Sequence, residues 1–192
     1  MSHVSENDWR SDLQTHRDEK DEFLREHPHS PLPEGEREGF EGLDYFDPDP
    51  AYRFELDLQE ADEKETLTVE TTTDGVREYV AWGVFRFDLD EEEHTLRAFR
   101  NAGDDEDEGF WLPFRDGTSG EETYGAGRYV DLDADEDRTD DGRWVVDFNR
   151  AYNPFCAYSA AYECPLVPAS NWLETRIEAG EKTYEGSESH RG

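Results

Sequence analysis

Lysine is almost missing from this chain of 192 residues: it occurs only as Lys20, Lys64 and Lys182, against sixteen arginines. Asp and Glu number 51, and the formal net charge is -32. No Lys/Arg cluster is available to neutralise phosphates, which argues against nucleic acid as a partner. The acidic residues are spread over the whole chain, which favours adaptation to molar salt, as in a halophile, over a face that binds cations or basic partners. We expect the fold to loosen in low salt.

Long apolar runs are also missing. No stretch approaches the roughly 20 apolar residues of a membrane span. Residues 1–9 lack the basic region and apolar core of a signal peptide. We therefore expect a cytoplasmic protein with no membrane partner. The hydrophobic fraction of 33% is low, but aromatic residues make up 13% and fall in alternating runs, which favours a folded domain over disorder.

The first 33 residues differ in pattern from the rest of the chain. Residues 5–27 are predicted to form a helix, with Ser5 as its N-cap. Its apolar stripe is sparse and consists of Trp9, Leu13, Phe23 and Leu24. The proline-rich run 28–33 ends the helix and reads as a linker. We predict a helix and linker over residues 1–33, followed by one β-rich domain over residues 34–192.

From Tyr52 onward, apolar residues recur with a period of two. This alternation predicts strands over 52–58, 66–71 and 80–89, and further strands are expected over 94–100, 109–114, 127–132 and 142–149. The parity changes next to Gly83, which predicts a bulge or sharp bend. Short strands with acidic turns predict a mainly β protein: an antiparallel barrel or sandwich-like sheet with an N-terminal helix. Residues 171–184 are compatible with either strand or helix.

The second half of the chain contains a series of unusual motifs in a fixed order. They are Phe110-Trp-Leu-Pro-Phe-Arg-Asp-Gly-Thr-Ser-Gly120, Thr123-Tyr-Gly-Ala-Gly-Arg-Tyr129, Asp147-Phe-Asn-Arg-Ala-Tyr-Asn-Pro154, Cys156-Ala-Tyr158, Cys164-Pro165, Asn171 and Ala179-Gly-Glu-Lys182. Over roughly residues 9–184 the chain resembles the uncharacterised DUF1684 family, in a haloarchaeal-type acidic form. It departs from that pattern at Leu166-Val-Pro168, where family members often carry consecutive prolines. The resemblance implies no activity and indicates only which residues to examine.

Polar residues of these motifs form a candidate ligand site. On a strand, Asp147 and Asn149 would share the face opposite Trp144, Val146 and Phe148. Loops are expected to bring further polar and aromatic side chains to them, namely Asp116, Arg128, Tyr152, Asn153, Tyr158 and Asn171. Such a set suits hydrogen bonding to a polar ligand between aromatic walls. In the structural alternative, the Asp and Asn side chains fix turns, and Arg128 forms a buried ion pair with Asp116 or Asp147.

Three functions are compatible with this pattern. The leading interpretation is a noncatalytic module, a β-barrel that binds a small molecule and needs no cofactor. The alternative is a hydrolase that uses Asp147 or Asp116 as a base. In the third, the cluster serves folding alone. The sequence does not indicate the oligomeric state.

Cys156 and Cys164 are the only cysteines, with seven residues between them. The favoured interpretation is a pair of buried, reduced thiols. A disulfide is ranked below the reduced thiols, because a cytoplasmic environment disfavours disulfides. Metal binding is the least favoured, since the motif has no closely spaced cysteine pair and no histidine.

Overall fold

The computed structural model describes residues 5–71, 75–103, 109–159 and 164–184. Two helices and seven strands lie in these ranges: α1 (Glu6–Glu26), α2 (Glu34–Arg37), β1 (Arg53–Leu56), β2 (Gln59–Glu70), β3 (Val76–Leu89), β4 (Glu92–Asn101), β5 (Phe110–Phe114), β6 (Arg128–Leu132) and β7 (Trp144–Asp147). One antiparallel sheet has the order β2-β3-β4-β5-β6, and a smaller one pairs β1 with β7. The predicted mainly β fold is confirmed. In the described residues the sheet is sandwich-like and does not close into a barrel.

The core lies between the two sheets. Its side chains come from alternate positions of the strands, as the period of two requires. Phe85 of β3, Leu96 of β4 and Leu112 of β5 are completely buried together with Phe148, which follows β7. Phe54 of β1 adds an edge contact, 6.0 Å from the ring of Phe148. Full burial of each such side chain contributes about 1.5–3 kcal/mol.

The bulge predicted at Gly83 is confirmed. The pairing of β3 with β4 shifts register between Ala81 and Gly83. A Cβ atom at Gly83 would lie only 2.6 Å from the carbonyl oxygen of Gln59. Glycine is therefore needed where the neighbouring strand crosses closely, and the extra residue explains the change of parity along β3.

The N-terminal helix begins where its capping residue predicts. The Oγ atom of Ser5 accepts a hydrogen bond from the backbone nitrogen of Asp8 at 3.1 Å. Leu13 and Leu24 are buried. The indole nitrogen of Trp9 donates to Asp147 at 2.8 Å, so α1 packs directly against the end of β7. No helix in the described residues is long and apolar enough to span a bilayer.

Several local predictions differ from the structure. Strand β1 ends at Leu56 instead of residue 58, and β2 begins at Gln59 instead of residue 66. Strand β7 ends at Asp147 instead of residue 149, and Phe148–Arg150 forms a 3₁₀ turn. The reason is that the Asp147 carboxylate accepts a hydrogen bond from the backbone nitrogen of Asn149 at 2.9 Å, which favours a turn over continued pairing. In the segment 171–184, Asn171 ends a 3₁₀ turn (Ala169–Asn171), and residues 172–184 form neither a helix nor a named strand. They make only isolated bridges, such as Arg115 with Trp172 and Tyr45 with Glu181.

Candidate functional site

Asp116 and Arg128 form a buried pair. Both side chains are completely buried, and Nη2 of Arg128 lies 3.4 Å from Oδ1 of Asp116. The guanidinium also donates to the carbonyl oxygens of Ile177, Ala179 and Glu181. The Asp116 carboxylate accepts from the backbone nitrogen of Ile177 at 2.6 Å. This pair therefore holds the irregular segment 177–181 against the sheet.

Asp147 and Asn149 form a second buried pair, although they do not share a strand face. The Nδ2 atom of Asn149 donates to Asp147 Oδ1 at 2.9 Å and to the carbonyl oxygen of Asp49 at 2.8 Å. Its Oδ1 atom accepts from the backbone nitrogen of Asp49 at 2.9 Å. Together with the bond from Trp9, these contacts connect α1, the segment before β1 and the end of β7.

Tyr158 and Asn153 lie under α1 beside a carboxylate that the sequence reasoning missed. Glu181 is buried, with 1% of its surface exposed. It forms an ion pair with Lys20 of α1 and accepts a hydrogen bond from the hydroxyl of Tyr158. The Nδ2 atom of Asn153 donates to the carbonyl oxygen of Lys182 at 3.0 Å. One of only three lysines thus compensates a buried acid, and the motif residues around it hold the helix in place.

The two remaining candidate residues are Tyr152 and Asn171. The ring of Tyr152 lies 5.2 Å from Nζ of Lys20, beside the group of Tyr158 and Glu181. The hydroxyl of Tyr152 donates to Asp131 Oδ2 at 2.6 Å. Asn171 is completely buried. Its amide donates to the carbonyl oxygens of Arg97 and Pro113 at 3.0 and 2.8 Å, and its Oδ1 atom accepts from the backbone nitrogen of Arg97. Because β4 and β5 share a single register pair, this amide joins strands that otherwise have little direct pairing.

The eight candidate residues are therefore brought together in small groups and not in one pocket. Each makes side-chain hydrogen bonds within the protein, as the structural alternative requires. Arg128 pairs with Asp116, whereas Asp147 bonds to Asn149 and Trp9.

Burial shifts the titration of the tyrosines in and around these groups. Desolvation is the main cause that raises the pKa of Tyr158, and the nearby charge of Glu181 adds to it. Desolvation followed by the charge of Asp131 raises the pKa of Tyr152. Desolvation is also the main cause that raises the pKa values of Tyr45 and Tyr129. These hydroxyls therefore remain protonated well into the alkaline range.

Both cysteines are buried, reduced thiols. Cys156 is completely enclosed, and Cys164 keeps 8% of its surface exposed. The backbone nitrogen of Cys156 donates to Sγ of Cys164 at 3.4 Å. In the described part of the chain, no group of three or more His, Cys, Asp or Glu side chains is placed to hold a metal ion.

An open groove is lined by none of the eight candidate residues. Its volume is about 680 Å³. It runs between the end of β2 and the segment 164–172, and its lining includes Leu67, Val69, Val167, Arg115 and Trp172. Trp172 is 53% exposed and, with Val76, is one of two exposed large apolar side chains in the described residues. The guanidinium of Arg115 lies 4.5 Å from the centre of the Trp172 ring.

Arg115 is half-buried, and no carboxylate among the described residues pairs with it. Backbone bonds hold it opposite Trp172: its nitrogen donates to the carbonyl oxygen of Asn171 at 3.2 Å, and its own carbonyl accepts from Leu173 at 2.7 Å. The indole nitrogen of Trp172 donates to the carbonyl oxygen of Val167 at 3.1 Å. The main chain of Arg115 and the indole of Trp172 are thus held in place by bonds within the protein.

Gly127 supports the floor of the groove. Its φ angle is +103°, and a Cβ atom there would lie 2.6 Å from the carbonyl oxygen of Phe114, 2.8 Å from Cγ2 of Val167 and 2.9 Å from Cγ of Arg115. Only glycine allows this close approach without displacing two groove residues.

Comparisons with known proteins agree with the motif pattern. The protein family of unknown function DUF1684 matches residues 38–182. The chain belongs to this family. An uncharacterised protein of Haloarcula marismortui, determined by NMR in solution, is 48% identical, with a TM-score of 0.70 over 92% of this chain and 95% of the other. No curated protein matches.

Proposed function

We propose that the protein is a noncatalytic binding module that holds a small amphipathic anion in the groove between β2 and segment 164–172. The observation that carries this proposal is Arg115: a half-buried cation that pairs with no carboxylate of the described residues, beside an exposed indole, in a chain of net charge -32. With acids so abundant, an arginine that none of the described acids engages is available to an external anion.

The ligand chemistry follows from the lining. A guanidinium presents parallel N–H donors that match a carboxylate or sulfonate. The apolar side chains of Leu67, Val69, Leu166 and Val167 suit an aromatic or branched hydrocarbon body, and the anionic end is placed at Arg115 because Glu70 is an acidic residue of the same lining. Molar salt screens charge–charge attraction but strengthens apolar burial, depending on the ion. A ligand that joins an anionic group to an apolar body uses both features of the groove.

We further propose that the eight candidate residues act as the framework of this site. Asn171 directly precedes Trp172, and its side chain fixes that position against β4 and β5. Asp116 directly follows Arg115 and closes the next turn by accepting from Thr118. The remaining members (Arg128, Asp147, Asn149, Tyr152, Asn153 and Tyr158) hold the C-terminal segment and α1 to the sheet.

The setting we propose is a salt-adapted, archaeal-type cytoplasm. The spread of the acidic residues supports it, and so does the 48% identical relative from Haloarcula marismortui. The hydrolase alternative stays a prediction. For it to hold, Asp147 would have to release its bonds to Trp9 and Asn149, or Asp116 its bonds to Arg128 and Ile177.

The test is a titration with 8-anilinonaphthalene-1-sulfonate, a fluorescent amphipathic anion, in molar KCl. The wild-type chain is compared with Arg115→Gln and Trp172→Ala. Loss of a charge-assisted hydrogen bond costs about 1.5–3 kcal/mol, so Arg115→Gln should weaken binding by roughly tenfold or more. Trp172→Ala should weaken it too, because it removes the apolar wall.

The matched control is Arg138→Gln. Arg138 is an exposed arginine whose guanidinium lies 5.5 Å from the centre of the Trp144 ring, outside the groove. The substitution Arg138→Gln changes the net charge by the same amount as Arg115→Gln and should leave the affinity for the dye unchanged. Equal weakening by both substitutions would show a general charge effect, and saturable binding unaffected by Arg115→Gln would reject the groove.

A further inference from the structure

The two cysteines lie beside the groove. Cys164 is followed by residues 165–167, and both Leu166 and Val167 belong to the groove wall. Ala126 lines the groove and also packs against the apolar cluster that encloses the thiols. A displacement at Cys164 therefore reaches the groove within two residues of chain.

The two thiols lie next to each other, and Cys164 is the less deeply buried of the two. They are hydrogen-bonded to each other, and the backbone nitrogen of Cys156 donates to Sγ of Cys164 at 3.4 Å. The hydroxyl of Tyr124 lies 3.5 Å from Sγ of Cys156. Only Cys164 keeps an exposed fraction. Such a pair has the geometry of an attacking and a resolving cysteine.

The titration of the two thiols supports these roles. The hydrogen bond from Cys156 lowers the pKa of Cys164 below that of an ordinary thiol, and the charge of Arg77 contributes. The same hydrogen bond, followed by burial, raises the pKa of Cys156. A thiolate is the nucleophilic form, so Cys164 is the first to react and Cys156 keeps its proton.

We propose that Cys156 and Cys164 form a reversible dithiol–disulfide switch that is oxidised by peroxide and changes the shape of the groove. The Cys164 thiolate attacks a peroxide oxygen; the O–O bond breaks, a sulfenic acid forms, and the hydroxide takes up a proton to leave as water. The Cys156 sulfur then attacks the Cys164 sulfur, and the hydroxyl leaves with the Cys156 proton as a second water. In total, two thiols and one peroxide become one disulfide and two waters.

Formation of the disulfide changes the shape of the groove, because the two sulfur atoms must move closer together. The sulfur atoms of a disulfide are about 2.05 Å apart, closer than two hydrogen-bonded thiols. Two hydrogen bonds hold Pro165 and Leu166. The backbone nitrogen of Leu166 donates to the carbonyl oxygen of Glu70 at 2.8 Å, and the hydroxyl of Tyr129 donates to the carbonyl oxygen of Pro165. Only Pro165 separates Cys164 from the groove wall, so contraction at Cys164 strains these two bonds and displaces Leu166 and Val167. The effect on ligand affinity rests on the function proposed above; the disulfide does not.

The experiment treats the reduced full-length chain in molar KCl with one equivalent of hydrogen peroxide. We expect the monomer to lose both titratable thiols and the mass of two hydrogens, and a dithiol reductant to restore them. The Cys156→Ser variant should stop at a sulfenic acid that dimedone traps. The Cys164→Ser variant, which retains only the enclosed thiol, should react more slowly.

Two readouts connect the disulfide to the groove. Oxidation should shift the amide resonances of Leu166 and Val167. It should also change the dissociation constant of 8-anilinonaphthalene-1-sulfonate by about fivefold or more, the usual size of coupling between sites. By reciprocity, saturating dye should change the equilibrium constant for thiol–disulfide exchange by the same factor. In either serine variant, peroxide should leave the dye affinity unchanged.

The outcomes separate the two proposals. If no intramolecular disulfide forms, or if oxidation proceeds irreversibly to the sulfinic acid, the switch is rejected whatever the groove binds. If the disulfide forms but the amides of Leu166 and Val167 do not shift, its coupling to the groove is rejected. If the disulfide forms and the amides shift, while neither redox state binds the dye at Arg115, the switch stands and the proposed ligand class fails.

Discussion

Replacement of Arg128 by methionine tests whether the buried polar groups form the framework of the fold. Methionine fills much of the same space but removes the cation paired with Asp116 and the donor to three carbonyl groups. Breaking a buried pair by removing one partner costs about 3–5 kcal/mol. Each carbonyl that loses its partner adds about 1 kcal/mol or more. We therefore expect Arg128→Met to lose about 5 kcal/mol or more, much of the 5–15 kcal/mol that stabilises a typical domain.

The assay is equilibrium unfolding in urea, which adds no ionic strength, followed by tryptophan fluorescence in molar KCl. The matched control is Arg143→Met: Arg143 lies 3.0 Å from Asp141 in an exposed pair, which should contribute less than about 1 kcal/mol. In the double variant Arg128→Met/Asp116→Asn, a neutral amide replaces the unpaired carboxylate, so the loss should be smaller than the sum of the single losses. A loss for Arg128→Met no larger than that for Arg143→Met would refute the reasoning.

Two further predictions concern backbone crowding and pH. Gly127→Ala should be about 1–3 kcal/mol less stable than Gly120→Ala, because both positions have positive φ angles but only a Cβ at Gly127 meets neighbours within 4 Å; urea unfolding of both variants checks this. Stability should fall as pH rises above about 10, since burial raises the pKa values of Tyr45, Tyr129, Tyr152 and Tyr158 and the folded state therefore binds protons more tightly than the unfolded state. This contribution is fully present below the unfolded value and is lost as pH approaches the folded values; urea midpoints at increasing pH measure it. Equal stability of the two alanine variants, or a urea midpoint independent of pH through that range, would contradict these accounts.

Local patterns in the sequence predicted much of the fold. Ser5 caps the N-terminal helix, and the alternation along residues 80–89 gives a strand, because neighbouring residues decide both features. The parity change at Gly83 correctly indicated a bulge. The end of β7 was predicted wrongly, since the side chain of Asp147 competes with strand pairing and the apolar pattern does not record this competition.

The candidate sites could be predicted less well. Glu181 was missed because one more acid in a chain with 51 acidic residues gives no signal; its place between Gly180 and the rare Lys182 was the only indication. Arg115 and Trp172 lie far apart in sequence and meet through a backbone bridge. Strand alternation does not predict such a contact. The groove therefore appears only in three dimensions.

The Asp116–Arg128 pair was predicted only in part from the sequence. The sequence predicted an ion pair of Arg128 with either Asp116 or Asp147, and the structure selects Asp116. The choice depends on segment 177–181, whose carbonyl groups surround the guanidinium. That segment has no regular secondary structure and no periodic pattern, so tertiary contacts alone determine its position.

The most direct test of the proposed function is a crystal structure of the chain grown in molar salt with 4-bromobenzoate, an amphipathic anion whose bromine is located by anomalous scattering. The account predicts a bromine peak between Trp172 and Val167, with the carboxylate facing Arg115. Bromine bound instead beneath α1, beside Asp147 and Asn149, would return the ligand site to the polar cluster. An empty groove in crystals that hold the anion elsewhere would contradict the account.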